Sequence, residues 1–233
     1  WCRRNRAVQD FVLSTGHAYD RIIRRNKAAF EAHPEYYGLV AGERRSSKMC
    51  IGNPDLRDLI VRDAVSQFEA NPELECISMD PSDGGGWCEC ERCAALGNVT
   101  DRALTLANAV AAAVTQVKPG AHVGMYAYNQ HSPPPTITAH PNVIVSIATG
   151  FIRGGYTVEQ LFAAWGEKTR QLGVREYYSV FAWDHDLPGR GRGSNLDYLR
   201  ENIPALHAKG GRFLSAESGD NWGIQGHSLT VNS

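Results

Sequence analysis

The fold is decided by residues 101–148, whose sequence is DRALTLANAVAAAVTQVKPGAHVGMYAYNQHSPPPTITAHPNVIVSIA. Its first part, Asp101–Val117, has the pattern of a helix. Two runs follow, His122–Tyr128 and Asn142–Ala148, which are rich in β-branched and aromatic residues and bounded by turn formers, as strands are. Both runs are too continuously apolar to face water on one side. The alternation therefore predicts a parallel sheet covered by helices.

The same alternation continues along the rest of the chain. Further strands are predicted at Glu75–Met79, Glu176–Trp183 and Arg212–Ala216, with a weaker sixth at Tyr36–Val40. Further helices are predicted at Pro54–Ala70, Thr157–Leu172 and Ser194–Ala208. Asn53, Thr157 and Ser194 are residue types that cap helix N-termini, and Gly173 and Gly210 are expected to stop the last two helices.

Two architectures fit this order of elements, a doubly wound sheet and a (β/α)8 TIM-type barrel. We favour the barrel because no Gly-rich phosphate loop follows a strand. In addition, polar and aromatic residues follow nearly every strand, where barrels have their active sites. Five or six strands are too few for a closed barrel of eight. The prediction is an α/β chain that forms one incomplete barrel domain over residues 1–233, as a piece of a longer protein that begins here at Trp1 without Met.

Composition excludes two classes of function. Apolar residues make up 42% and charged residues 21%, which is an ordinary globular balance. With 24 basic and 25 acidic residues the net charge is −1, so the chain has no overall attraction for nucleic acid. The longest apolar stretch, around Ala107–Val117, is interrupted by polar residues and is shorter than the roughly 20 residues of a membrane span. Composition and charge do not indicate an oligomeric state.

The residues that could act in catalysis follow the ends of the predicted strands. Asp83 follows the first strand and Glu217 follows the last, and in a barrel the two ends converge. Two carboxyl groups can flank a glycosidic bond, one as general acid and the other as base or nucleophile. We therefore predict a glycoside hydrolase in which Asp83 is the acid and Glu217 the base or nucleophile. The candidate sugar-binding residues at the strand ends are Tyr126, Tyr128, Asn129, Trp183, Asp184, His185, Asn221 and Trp222.

An Asp before Gly is also a common turn former, which keeps a second interpretation open. In that interpretation the same cup binds carbohydrate without cleaving it. The separation of the two carboxyl groups distinguishes the cases, since retaining enzymes need about 5–5.5 Å and inverting enzymes about 6.5–9.5 Å.

A cluster of cysteines gives a separate signal. Cys88, Cys90 and Cys93 lie within six residues and can converge on one structural zinc ion, with Cys50 or His131 as the fourth ligand. Disulfide bonding in an oxidising compartment is the alternative. A third interpretation makes this cluster the functional centre, as a redox or metal-dependent site. We expect no organic cofactor.

Several motifs resemble the domain-of-unknown-function 4838 family over nearly the whole chain. They include Pro81-Ser82-Asp83-Gly84, the Cys-rich run Trp87–Cys93, and Ala216-Glu217-Ser218 followed by Asn221-Trp222-Gly223. Such proteins are similar to glycoside-hydrolase barrels of the α-glucuronidase and hexosaminidase kind and are often secreted bacterial proteins. The resemblance implies Asp83 and Glu217 as the acidic pair, Cys50 as the fourth member of the thiol cluster, and a secreted or periplasmic location. It assigns no reaction.

Overall fold

The structure is a computed structural model that describes residues 11–178 and 195–217. Its helices are α1 (Tyr19–Arg25), α2 (Lys27–Ala32), α3 (Pro54–Ala70), α4 (Glu91–Ala94), α5 (Val99–Val117), α6 (Val158–Gly166) and α7 (Leu196–Ala208), with a 3-10 turn at Pro34–Tyr36. Its strands are β1 (Gly38–Val40), β2 (Glu43–Ser46), β3 (Cys76–Ser78), β4 (His122–Asn129), β5 (Val143–Ile152), β6 (Leu172–Tyr177) and β7 (Gly211–Glu217).

Five of the strands form one parallel sheet in the order β3-β4-β5-β6-β7. Each new strand is added at the same edge, as in a barrel. A doubly wound sheet instead reverses its order at a switch point. Over residues 11–178 and 195–217 the sheet curls into half of a barrel, and these residues do not form the eight strands of a closed one. The weak sixth strand of the sequence analysis is β1, which pairs with β2 in a separate antiparallel hairpin.

The two faces of the sheet carry different residues because strand side chains alternate. On the outer face, Val123, Met125 and Ala127 of β4 belong to the main core, together with Val145 and Ile147 of β5. On the inner face, Tyr126, Tyr128, Ala148 and Tyr177 form a smaller cluster of their own. The curvature of the sheet thus gathers aromatic rings on its concave side.

Two long helices cover the outer face and pack against each other. In α3 the buried residues recur every fourth position, from Leu56 through Ile60 and Ala64 to Phe68. The helix begins at Pro54 because Asn53 caps it, with its side chain accepting from the Asp55 amide. Helix α5 begins two residues before the predicted start, since Asn98 and Asp101 form a capping box. In the described part of the chain no helix has the length and apolar character needed to cross a membrane.

The boundary between α6 and β6 corrects the sequence analysis. The helix predicted at Thr157–Leu172 ends at Gly166, and the strand predicted at Glu176–Trp183 begins at Leu172. The reason is tertiary pairing, because the Val145 amide of β5 donates to the Gln171 carbonyl and draws this segment into the sheet. Gly173 is therefore a strand residue and not a helix stop. A Cβ there would lie 2.6 Å from Ser146 Oγ, so glycine permits the close approach of β5 and β6.

A second glycine on the inner face provides a test of the fold. A Cβ at Gly124 would lie 2.1 Å from the Ser14 carbonyl oxygen, because the segment before α1 crosses the sheet there. We expect Gly124→Ala to lower the free energy of unfolding by about 3 kcal/mol, measured by urea denaturation. Gly120→Ala is the control, since a Cβ at Gly120 meets nothing within 4 Å and should change stability by less than about 0.5 kcal/mol. Equal stability of the two variants would contradict the packing of this segment on β4.

Candidate active site

A cavity of about 380 Å³ opens at the carboxyl edge of the parallel sheet. We call it the cup. Its lining consists of Gly16, His17, Asp83, Tyr126, Tyr128, Phe151, Arg175, Tyr177 and Glu217. Four residues predicted from sequence to share a site, the two acids and two of the tyrosines, thus lie around one cavity.

Asp83 lies on the loop that follows β3. Its Oδ1 accepts a 2.7 Å hydrogen bond from the Gly84 amide and a 3.2 Å bond from the Tyr128 hydroxyl. Partial burial acts to raise the pKa of Asp83, but these two hydrogen bonds and the charges of His17 and Lys48 outweigh it and lower the pKa. Burial raises the pKa of Tyr128 to about 12, so its hydroxyl stays a donor. Asp83 is accordingly an anion over the whole neutral range.

Glu217 is the last residue of β7 and forms an ion pair inside the cup. Arg175 Nη2 donates to Glu217 Oε2 at 2.6 Å. The guanidinium carbon lies 5.7 Å from the centroid of the Tyr126 ring and 5.6 Å from that of Tyr177. Stacking between two rings fixes the guanidinium by cation–π attraction, and the guanidinium in turn fixes the carboxylate of Glu217.

The aromatic wall of the cup is continuous from β4 to β6. Phe151 of β5 lies between its neighbours, with ring centroids 5.7 Å from Tyr128 and 5.3 Å from Tyr177, both in edge-to-face arrangement. Phe151 is 43% exposed, which is unusual for a large apolar side chain on a sheet. These rings offer apolar faces beside carboxylates, the combination that binds sugar rings and their hydroxyls.

A buried carboxylate supports the cup from below. Asp80 has no exposed surface; its Oδ1 accepts from the Tyr126 amide at 2.8 Å, and its Oδ2 lies 2.8 Å from His17 Nδ1. His17 Nδ1 is also 2.6 Å from the Pro81 carbonyl oxygen. The contact with Asp80 raises the pKa of His17, against the opposing effect of burial. His17 is therefore a protonatable ring in the wall of the cup.

Two buried basic side chains lie around the loops beside the cup. Lys48 is only 2% exposed, donates its Nζ to the Ser82 carbonyl and lies 5.1 Å from the centroid of the Trp87 ring. Burial lowers the pKa of Lys48. His131, an alternative metal ligand in the sequence analysis, has Nε2 3.5 Å from Asp80 Oδ1 instead.

Of the other predicted sugar-binding residues, the structure describes only Asn129, which does not line the cup. Asn129 follows Tyr128 but lines a neighbouring cavity. Trp183, Asp184, His185, Asn221 and Trp222 lie outside the described residues.

The four cysteines named by the resemblance come together beside these loops. The Sγ atoms of Cys50, Cys88, Cys90 and Cys93 all lie within 4.8 Å of one another, so they could hold a metal ion. Cys50 Sγ is 3.5 Å from Cys90 Sγ and 3.9 Å from Cys93 Sγ. A zinc ion with Zn–S bonds of 2.3 Å places tetrahedral sulfurs about 3.8 Å apart, which lies between these two distances.

Backbone donors and neighbouring thiols favour a thiolate at Cys88. The Leu39 amide donates to Cys88 Sγ at 3.3 Å and the Gly52 amide to Cys93 Sγ at 3.2 Å. Hydrogen bonds from the thiols of Cys50 and Cys93 lower the pKa of Cys88, and the same contacts raise the pKa of Cys50 and of Cys93. The donor set, geometry and burial therefore fit a closed four-thiolate metal centre.

Sequence reasoning missed several residues that line or support the cup, among them His17, Lys48, Phe151 and Arg175. Of these four, only Arg175 had a signal in the sequence. It lies two positions before Tyr177, and a strand placed at Leu172–Tyr177 would have put both side chains on the inner face. His17 reaches the site on a loop, Lys48 on a buried connection, and Phe151 on an extension of β5 beyond its predicted end at Ala148. None of these three features has a recognisable local sequence pattern.

Comparison with known proteins identifies the family. The model of the family described as a domain of unknown function, DUF4838, matches residues 2–206, and the chain belongs to that family. No curated protein sequence matches the chain.

Solved structures similar to the chain include two of endo-glycoceramidase II from Rhodococcus sp.. The complex with ganglioside GM3 is 11% identical with a TM-score of 0.45, and the complex with a cellobiose-like imidazole is 14% identical with a TM-score of 0.45. In each case the match covers 77% of this chain and 46% of the other, so the chain spans less than half the length of these structures.

Proposed function

We propose that the cup hydrolyses a glycosidic bond in an oligosaccharide or polysaccharide, with Asp83 and Glu217 as the two carboxylates that flank the bond. The observation that carries the proposal is that these two acids, from opposite edges of the sheet, line one cavity with four aromatic rings. Carboxylates and ring faces are the groups that glycoside hydrolysis needs, because its transition state carries positive charge on a sugar ring.

Glu217 has the role of base or nucleophile in this proposal. Its ion pair with Arg175 holds the carboxylate at a fixed place in the cavity. A carboxylate held in place in this way is suited to attack a sugar carbon or to take a proton from water.

The proton donor is the point at which the proposal departs from the sequence analysis, which gave that role to Asp83. The hydrogen bonds to Asp83 lower its pKa, whereas a general acid needs a raised one. His17 has a raised pKa and lines the same cavity. We therefore assign proton donation to the leaving oxygen to His17, and charge stabilisation of the transition state to Asp83.

The experiment that tests the proposed activity is incubation of the chain with a panel of α- and β-linked glycans, followed by assay of new reducing ends. Release of sugars that is lost in the Glu217→Gln variant supports a hydrolase. Saturable binding without any release supports instead a carbohydrate-binding barrel.

The pH dependence follows from the position of His17. A proton donor is active below its pKa, so the rate should fall as pH rises through the raised pKa of His17. Asp80→Asn removes the charge that raises this pKa and should move the basic limb of kcat/KM to lower pH.

NMR titration of the His17 ring should show the same displacement of its pKa without substrate. Asp63→Asn, which changes an ion pair with Arg25 and a hydrogen bond from Gln67 and does not touch His17, is the control. An unchanged basic limb in Asp80→Asn would contradict the role of His17. The imidazole of His17 also faces Asp83 and the rings of Tyr126 and Tyr128. These groups are unchanged in both variants.

We further propose that the four thiols bind one structural zinc ion. Cys50 lies two residues after Lys48, whose ammonium group holds the Ser82 carbonyl next to Asp83. Cys88 directly follows Trp87, at the other end of the same loop. The ion would therefore clamp both sides of the loop that carries Asp83, while taking no part in the cleavage itself.

A further inference from the structure

A second cavity, which we call the side cleft, adjoins the cup at the same edge of the sheet. Its volume is about 810 Å³, and the residues used below are Trp87, Glu89, Asn129, Gln130, Pro133 and Arg153. This volume falls within the range of small-molecule sites. None of these residues has a role in the cup.

Three segments of chain pass from the cup into the side cleft. Asp83 lines the cup and Gly86 the cleft; Tyr128 lines the cup and Asn129 the cleft; Phe151 lines the cup and Arg153 the cleft. The two cavities are therefore neighbours, and a ligand of several units can extend from one into the other.

The backbone is strained at the boundary between the two cavities. Asn129 has a φ of 48° and Phe151 a φ of 58°, both in the left-handed region. For an aromatic residue this is a genuine outlier, and such conformations cluster at binding sites where the surrounding structure enforces them. The strain turns the end of each strand, so that consecutive residues face different cavities.

The side chains of the cleft match a ligand rich in hydroxyl groups. Arg153 donates, Glu89 accepts, and the amides of Asn129 and Gln130 do both. The Nε of Arg153 meets Asn129 Oδ1 at a long 3.5 Å, and no ion pair of Arg153 is found within residues 11–178 and 195–217. Trp87 and Pro133 add apolar surface. The positive charge of Arg153 is balanced by the negative charge of Glu89, so the cleft has no strong preference for a charged ligand.

From these observations we infer that the side cleft is a second sugar-binding subsite, which takes further units of a neutral glycan whose cleaved bond lies in the cup. The inference rests on the proposed function and adds a substrate class to it. A substrate that occupies both cavities has at least three sugar units and crosses Phe151 at the boundary.

The test measures affinity against glycan length in the Glu217→Gln background, which prevents cleavage. The probes are size-separated oligosaccharides of two to five units from β-glucan, β-mannan, chitin and α-glucan, titrated by calorimetry. We expect at least a roughly tenfold gain in affinity between two and four units. Arg153→Ala combined with Gln130→Ala should remove that gain and change affinity for two units by less than about twofold. Arg62→Ala, an exposed arginine on α3, is the control and should keep the gain.

The outcomes separate the inference from the proposed function. Tighter binding of longer glycans that persists in the double variant overturns the inference, as does equal affinity for all lengths. Absence of binding by every probe at every length overturns the proposed function and the inference together. Loss of the length dependence in the double variant alone supports both.

Discussion

Glu217→Gln is expected to lower kcat by at least about two orders of magnitude while the substrate still binds. The neutral amide keeps the size of the side chain and a contact to Arg175, but it can neither attack a sugar carbon nor accept a proton. The rings of Tyr126, Tyr128 and Tyr177 remain, so affinity for the glycan should change little. Initial rates on the glycan found in the panel, together with calorimetric affinities, measure both quantities.

The controls for this prediction lie on the same chain. Glu159→Gln changes an exposed glutamate on α6 and should leave kcat as it was. Asp83→Asn should also lose about two orders of magnitude, because it removes the second charge in the cup, whereas Asp197→Asn on the exposed face of α7 should not. Wild-type turnover in both cup variants would show that the carboxylate pair has been assigned to the wrong residues.

Removal of the metal from the thiol cluster is expected to lower the melting temperature by roughly 10 °C. Binding of zinc to thiolates contributes directly to the free energy of folding, and the proposed ion would join the connection before α3 to the loop before α4. Thermal unfolding with and without a chelator measures the effect. Turnover should fall with metal loss as well, since Lys48 then no longer holds the loop next to Asp83 in place.

Two cysteine variants make this prediction specific. Cys90→Ser removes one ligand and should lower the melting temperature, after which the chelator has little further effect. Cys76→Ala changes a buried thiol outside the cluster, so the variant should keep its full response to the chelator. If a reductant destabilises the protein and a chelator does not, the cysteines form disulfides and the zinc centre is wrong.

The fold was predictable from sequence where pattern and caps agree. Asn53 before Pro54 places the start of α3 correctly, and the apolar run of β4 gives both a strand and its buried outer face. The prediction failed between Gly166 and Tyr177. Leu172 continues a helical pattern locally, and only its pairing with Val145 on the neighbouring strand decides that it is sheet. Pairing with a strand that lies far away in the sequence cannot be read from a short stretch of residues.

The residues of the candidate site were likewise predicted only in part. Asp83, Glu217 and the tyrosines of β4 were predicted because each follows or ends a predicted strand. His17 was not, because it precedes α1 and is held at the cup by long-range contacts with buried Asp80 and the Pro81 carbonyl. Arg175 was missed because an error in the boundaries of β6 hid its position on the inner face. Phe151 depends on a left-handed backbone conformation that nothing in its sequence neighbourhood requires.

The most direct test of the central claim is a crystal structure of the Glu217→Gln variant with an oligosaccharide that the parent protein cleaves. The account predicts that one interunit oxygen lies in the cup between Asp83 and residue 217, within hydrogen-bond distance of His17, with the adjoining sugar ring against the aromatic wall. A glycan bound with its cleaved bond outside the cup, away from both carboxyl groups, would contradict it.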